Sequence, residues 1–559
     1  MAQAMFDIET PALSVPESLK AAVQHGEVFT RRWVVDAILD LVGYTAERDL
    51  AALRILEPAC GQGAFLGAIA ARISASCRTH NRSLLDAIHA VEAFDLVEQN
   101  IAHSREAVSA QLISDGWESS DAEKVVCSWI KHGDFLLQDS PMAPADFVVG
   151  NPPYIRLEDV PDGRMRAYRR ACPAMTGRAD TYVGFYELGL RSLSPGGKLG
   201  FICADRWMRN QYGRALRQLV TRQYSMDLVL TMHDVDAFQE QVSAYPAITI
   251  IRNAPQGEAI AADTTRDFDE AAVQELLAWV TDCKEDLTRA ASYHAARLPH
   301  WFPREDSWPA ASPARLAMLE DLSDRFRLLE DETTGTRVGI GIATGADKIF
   351  LTDDRDLVES ERLLPLAMVR DTTSGELEWK GTFLVNPWSA SGQLVDLEDY
   401  PRLAAYFAEH REKLGKRYVA VKQPSRWYKT IDKVDHSLTR HPKLLFPDMK
   451  LTIHPVLDGG GLYPHHNLYF IVSDTWDLRA LGGLLLSKVA EAFVEAYAVK
   501  MRGGTLRFQA QYLRKIRVPD PADMSEEVKI ALSKAFDERD VQAATEAALR
   551  AYGLDQLPD

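Results

Sequence analysis

Short apolar runs that stop at a polar turn recur through the first 250 residues, and apolar positions at helical spacing follow each of them. Trp33, Val34, Ala37, Ile38, Leu41 and Val42 predict a helix, for which Thr30 is a fitting cap on spacing alone. Ala52–Leu56 reads as a strand running into a glycine-bearing turn and a helix to about Ser76. Ala87–Phe94 reads as the next strand, with a helix from Val97 to about Leu112, and Asp146–Gly150 as a buried strand. A helix over 180–193, a strand over 198–203 and a helix over 213–222 continue the series. Strands near 226–231 and 244–252, joined by a loop, are expected to close the sheet as an antiparallel edge. The alternation predicts an α/β fold with a mixed, mainly parallel sheet over residues 1–255. Residues 256–336 turn acidic and alanine-rich and read as a helical connector. From Arg337 small residues and alternation suggest strands with tight bends, an α+β region over 337–520, and 521–559 reads as closing helices.

The polar residues at the strand ends change this from a fold into a candidate site. Glu57-Pro58-Ala59-Cys60-Gly61-Gln62-Gly63 joins strand to helix as in a nucleotide-binding α/β unit. Only two glycines are present, Ala59 stands where a three-glycine pattern begins, and no Lys-Ser/Thr follows, which excludes a phosphate-cradling P-loop. An acid at the first strand's end suits a cationic ligand better than a pyrophosphate, favouring S-adenosylmethionine over a dinucleotide. Asp95 ends the second strand, where this architecture binds ribose hydroxyls. Asp134 ends a third, with Phe135 available to pack on a ring. Each acid alone reads equally as a solvated turn residue; three in one alternating series form a pattern.

Asn151-Pro152-Pro153-Tyr154 follows the buried strand. The two prolines hold the backbone extended. The Asn151 side-chain oxygen and the Pro152 carbonyl are placed to accept the two hydrogens of an exocyclic amine, and Tyr154 offers a flat face to a planar base. Phe238, in a polar loop, is either an anchor into the core or a second stacking wall facing Tyr154, and composition favours the anchor.

Composition narrows the partners. The 559 residues suffice for two or three domains. Six cysteines without a CxxC pair suggest neither zinc nor a disulfide framework, fit a reducing cytoplasm, and no metal is expected. No run approaches the ~18 apolar residues of a membrane span. The net charge of −17 argues against nucleic acid, yet residues 401–520 hold 20 Lys and Arg against 11 Asp and Glu. Lys422, Arg426 and Lys429 lie among Tyr418, Trp427 and Tyr428, the composition of a nucleic-acid face, the interleaved aromatics counting against a merely solvated helix face; Arg502 and Arg507 lie in a second basic stretch.

Assembled in this order, the motifs resemble the gamma-class adenine-N6 DNA methyltransferases of restriction–modification systems, the TaqI-like group. Gly26–Thr30 is similar to that family's N-terminal cofactor motif, Glu57–Gly63 to its cofactor loop, and Asp134-Phe135 to its adenine-binding pair. Asn151–Tyr154 is similar to its catalytic motif, and Phe238 to its second base-stacking aromatic. Gly341–Gly345 resembles the start of its target-recognition domain. The resemblance implies a Rossmann-like methyltransferase domain with a C-terminal recognition domain. S-adenosylmethionine would lie across Thr30, Glu57, Pro58, Ala59, Cys60, Gly61, Asp95, Asp134, Phe135 and Pro153. A flipped adenine of double-stranded DNA would stack between Tyr154 and Phe238. A monomer is expected, with a cognate restriction endonuclease related by function and not by physical contact. Methylation of cytosine N4, methylation of a glutamine side chain in a protein, and a non-catalytic DNA-specificity subunit are the alternatives.

Overall fold

The computed structural model describes residues 30–138, 143–239, 245–303, 306–450, 452–498 and 506–559. The chain divides into two compact units, Met1–Ala317 and Met318–Asp559.

The first unit is built on a ten-stranded sheet in the order β3-β2-β1-β4-β5-β7-β6-β8-β10-β9. The strands are β1 Ile55–Glu57, β2 Val91–Asp95, β3 Ile130–His132, β4 Ala145–Gly150, β5 Leu193–Ala204, β6 Ser225–Thr231, β7 Pro246–Arg252, β8 Ala259–Thr264, β9 Leu287–Arg289 and β10 Tyr293–Leu298. β3, β2, β1, β4 and β5 run parallel, and β7 inserts antiparallel between β5 and β6. Both faces of the central strands are covered, so β1 is buried throughout and β4 reads as a continuous apolar run.

One face packs under the helices Arg32–Val42, Ala64–Thr79, Glu98–Ser114 and Ser119–Trp129, through Val34, Ile38, Phe65, Ile69, Val108 and Val125. The other packs under Tyr182–Arg191 and Arg214–Gln223, through Phe185, Tyr186, Leu190, Leu216 and Val220. Gly200 of β5 lets the first helix approach: a Cβ there would stand 2.6 Å from Val42 Cγ1.

Two sequence expectations are corrected here. Residues 256–336 are not a helical connector, because β8, β9 and β10 extend the sheet, with the helix Glu270–Asp282 among them. β8 carries the small apolar run Ala259-Ile260-Ala261-Ala262, whose alanines suggest helix until a neighbouring strand is available to pair with. For the same reason β6 and β7 are interior strands and not the sheet's edge.

In the second unit, strands Arg337–Ile340, Leu468–Val472, Lys443–Pro447 and Val456–Asp458 form an antiparallel sheet. A smaller sheet is made by Leu351–Thr352, Phe383–Val385, Leu363–Ala367 and Tyr463–Pro464. The closing helices Glu526–Asp537 and Val541–Tyr552 accompany the apolar helix Leu478–Leu486. Gly483 meets the first of them closely, a Cβ there falling 2.1 Å from the Leu532 carbonyl.

Candidate active site

β1 leads to β2 and β3 on one side, and the chain then crosses to β4 on the other, so the sheet order reverses between β1 and β4. Loops diverge at such a point and leave a crevice at the strands' carboxyl ends. A cleft of about 860 Å³ opens there. It is lined by Thr30, Glu57, Pro58, Ala59, Cys60, Gly61, Asp95, Asp134, Phe135, Asn151 and Pro153, residues brought together from four strand ends and the segment before the first helix. Gln62, Ala64, Phe65, Leu96, Val97, Gly133, Ile155 and Phe185 complete the lining.

The β1 turn is shaped by two left-handed glycines, Gly61 at φ +51 and Gly63 at φ +89. Gly61 N–H donates to Asp95 Oδ2 at 2.9 Å, and Ser104 Oγ donates to the Gly61 carbonyl at 2.9 Å. Asp95 Oδ1 accepts from Val97 N at 2.8 Å. Asp95 is thus held by backbone donors of two neighbouring turns, which fixes the direction of its remaining lone pairs.

Glu57 is 1% exposed, and its Oε2 has no hydrogen-bond partner. Burial first, then the charge of Asp95, pushes its carboxyl well above the usual range. A buried carboxylate with an unused oxygen, beside a second acid, favours a cation in the cleft. Burial likewise pushes the Cys60 thiol up, so it stays neutral.

Asp134 caps the short turn Phe135–Leu137 by accepting from Leu136 N at 3.1 Å. Its Oδ2 accepts from Tyr168 Oη at 2.8 Å, and Arg164 Nε lies 3.8 Å away. Phe135 is buried and stacks on Phe185 with ring centroids 5.6 Å apart. Tyr168 and Phe185 were not singled out in the sequence. Phe185 looks like any apolar helix position, and Tyr168 sits in an arginine-rich stretch with no periodicity that links it to Asp134.

Asn151 follows β4 and its Nδ2 donates to Thr30 Oγ1 at 3.2 Å. Thr30 is therefore not the cap of the first helix; Arg31 occupies that position, without a side-chain cap bond. Thr181 Oγ1 donates to the Pro153 carbonyl at 3.0 Å and Thr181 N to the Ile155 carbonyl at 2.7 Å, pinning the turn from the far side. Pro152 is buried. Tyr154 meets Tyr182 edge to face at 6.1 Å, and its buried hydroxyl has no partner. Burial raises that hydroxyl well above the ordinary tyrosine range, so it remains protonated.

Phe238 belongs to a different apolar cluster from Tyr154. Its ring is 5% exposed inside the first-face core, whereas Tyr154 packs on the second-face cluster. Thr30 and Phe238 form an antiparallel bridge, and Arg31 N donates to the Ala237 carbonyl at 3.0 Å. Phe238 is an anchor for that bridge. Of the N-terminal motif Gly26–Thr30, only Thr30 falls among the described residues.

In the second unit, Lys422 and Arg426 are exposed and Lys429 half-buried. Lys422 Nζ lies 4.6 Å over the Tyr418 ring, and Lys429 Nζ donates to Gln423 Oε1 at 2.7 Å. Tyr418 is 69% and Val421 65% exposed, so this short helix presents apolar and cationic groups together. Arg417, from the same basic run, is instead a strut: it donates to the carbonyls of Thr344, Trp427 and Lys429. Arg502 lies outside the described residues, and Arg507 is described only as strand, Leu506–Arg507 pairing with Met449–Lys450.

Residues 99–238 match the family described as Eco57I restriction-modification methylase. The chain is 43% identical over 553 residues to the type II methyltransferase M.PaeR7I of Pseudomonas aeruginosa, covering 98% of this chain and 94% of that one. It is 40% identical over 538 residues to the type II methyltransferase M.XhoI of Xanthomonas vasicola, covering 95% and 98%. Among solved structures, the type IIG restriction endonuclease BpuSI aligns with a TM-score of 0.45 at 14% identity, over 93% of this chain and 62% of that chain. S-adenosylmethionine is accordingly the cofactor, and the cleft's acids and orphaned Glu57 oxygen fit its cationic amine and sulfonium. With near-complete coverage at such identity, the chain belongs to the type II DNA methyltransferases of restriction–modification systems.

Proposed function

We propose that the chain methylates the N6 amine of an adenine flipped out of a short double-stranded DNA sequence. The observation that carries this reading is the position of Asn151 at the end of β4, bordering the same cleft as Glu57, Asp95 and Asp134. When bound, S-adenosylmethionine supplies a methyl group on a sulfonium, already electrophilic and in need of no metal.

The chain's residues then do three things. Glu57 balances the cofactor's positive charge, Asp95 accepts from its ribose hydroxyls, and Asp134 accepts from its adenine amine while Phe135 covers the ring. Thr30, the backbone of Pro58, Ala59, Cys60 and Gly61, and Pro153 shape the walls. Asn151 Oδ1 and the Pro152 carbonyl accept the two amine hydrogens of the target base, which draws its nitrogen out of conjugation and aims the lone pair at the methyl. The amine proton would turn acidic only as the methyl arrives and would then pass to solvent, so no side-chain base is required to start. Tyr154 stacks on the base. Phe238 maintains Thr30, and through it Asn151, in register. Lys422, Arg426 and Lys429, with Arg502 and Arg507, bind the phosphate backbone. Modification of this kind protects host DNA from a cognate restriction endonuclease, and the protein acts as a monomer.

Single-molecule sequencing of DNA from cells expressing this chain alone tests the reading. N6-methyladenine at one short motif is the expected result. N4-methylcytosine would overturn the choice of base and keep the amine chemistry; unmodified DNA would overturn the assigned role of Asn151 and the cleft.

A further inference from the structure

Three ligand-type side chains meet in the second unit at a place that methyl transfer does not use. Asp347, His465 and His466 each offer one ligand atom, all within 4.8 Å of one another. They come from two chain segments: Asp347 opens the short helix Asp347–Phe350, and the histidines directly follow the Tyr463–Pro464 strand.

The backbone builds this meeting. Ile342 N–H donates to the Pro464 carbonyl at 2.9 Å, and His466 N–H returns a bond to the Ile342 carbonyl at 3.0 Å. Gly341 permits the approach, since a Cβ there would stand 2.3 Å from the His465 carbonyl. His465 N–H donates to the Ala367 carbonyl at 3.0 Å, so both histidines are placed by main chain on two sides.

Asp347 accepts from Thr344 Oγ1 and faces His465 Nε2, but the two imidazoles are left incomplete by protein groups alone. His465 is 1% exposed, and the Nδ1 atoms of both His465 and His466 are buried without a hydrogen-bond partner. An unused buried ring nitrogen is costly relative to a satisfied one. Two of them side by side, with ring centroids 4.1 Å apart, cannot satisfy each other if both carry lone pairs. His465 Nε2 lies 3.2 Å from Asp347 Oδ2. That spacing suits either of two arrangements. Two atoms bound to one tetrahedral ion at about 2.0–2.1 Å are separated by slightly more than 3 Å. A carboxylate that holds one ring nitrogen, leaving the other for the metal, has the same spacing. Two imidazoles with one carboxylate select a zinc-like divalent ion over calcium or magnesium, which prefer oxygen.

We propose that Asp347, His465 and His466 form a binding site for a zinc-class divalent cation, with solvent in its open position. The ion ties the 341–347 loop to the 463–466 segment. The same loop receives Arg417 at the Thr344 carbonyl and Asp432 N–H at the Ala343 carbonyl, so a clamp here steadies the base of the basic, aromatic segment.

The experiment uses the untagged full-length protein, stripped with chelator, exposed to Zn²⁺, and freed of excess metal by gel filtration before elemental analysis. Equimolar zinc is expected on the native chain, with a rise in unfolding temperature over the chelator-treated form. His466→Ala and Asp347→Asn are each expected to weaken zinc retention on the order of tenfold or more and to abolish the temperature rise. Near-UV circular dichroism of the chelator-treated chains checks that both variants are folded and is expected to match that of the native form, and S-adenosylhomocysteine binding by the first unit is expected to be unchanged. Native protein that retains no zinc, or variants that retain it as the native chain does, would overturn the site. Neither result would touch the methyl-transfer reading.

Discussion

The cleft of the first unit and the basic segment of the second both gather polar and charged groups, but they are organised by different rules. In the cleft the acids and Asn151 stand at the ends of parallel strands. β1, β2 and β4 are hydrogen-bonded neighbours in a buried sheet, so the positions of Glu57, Asp95 and Asn151 follow from strand register. In the basic segment the groups lie on short helical turns, Arg411–Gly415, Tyr418–Lys422 and Pro424–Arg426, none long enough to hold itself. Their geometry depends on Arg417 bonding four carbonyls, of Leu414, Thr344, Trp427 and Lys429, and on the packing of Trp427 and Tyr428. A sheet makes position a consequence of sequence order. A set of turns makes it a consequence of which side chains are used up as struts.

The sharpest break in that comparison comes from the cleft. Asn151→Ala is expected to lower the methylation rate by on the order of 10²–10³-fold or more, while S-adenosylhomocysteine affinity stays within a few-fold. Calorimetry and single-turnover methylation measure the two separately, and a parallel loss of both would deny Asn151 its role toward the base. Phe238→Ala tests the anchor reading. A fully buried ring removed from the core should destabilise the first unit by about 3–5 kcal/mol in denaturant unfolding. Unchanged stability with lost activity would restore Phe238 as a stacking wall.

In the second unit, replacing Lys422, Arg426 and Lys429 together by Gln is expected to reduce the slope of log affinity against log salt by about 2–3, measured by DNA binding across a salt series. The fold should be unaffected, because Lys422 and Arg426 are exposed. An unaltered slope would assign the phosphate contacts elsewhere.

A smaller effect separates Glu57 from its neighbours. Its carboxyl is raised by burial, so in the free cleft it is protonated at acid pH and ionises only as pH climbs past that elevated range. Cofactor affinity should therefore rise with pH, and Glu57→Gln should flatten the dependence. A raised folded value also means that Glu57 costs stability progressively as pH passes from its unfolded value to its folded one, so the apo protein should gain stability in Glu57→Gln at neutral pH. Least of all, Tyr168→Phe removes one hydrogen bond to Asp134 and is expected to weaken cofactor binding about three- to tenfold without changing unfolding.

The order of the motifs, the α/β alternation over the first 250 residues and the acids at the strand tips were legible in the chain, because strand–turn–helix units are local and place their polar ends on one edge. What local pattern could not reveal was which strands neighbour one another. The alanine-rich stretch 259–264 reads as helix until β6 and β10 flank it, so the sheet's full width and the unit boundary at Ala317 were misjudged as a connector. The same reason explains Thr30 and Phe238. Their spacing to the next helix is local, yet their partners, Asn151 and the first-face core, are 121 residues and a whole sheet away in sequence. Tyr168 on Asp134 and the pairing of Asp347 with His465 are likewise contacts between segments that no periodicity connects. The sequence by itself determined the chemistry available and the elements that carry it. Only the tertiary structure decided which of those groups face the cleft, which are consumed as struts and anchors, and which are left buried with an unused atom, since pairing across long stretches of chain is settled by packing and register and not by the residues' own preferences.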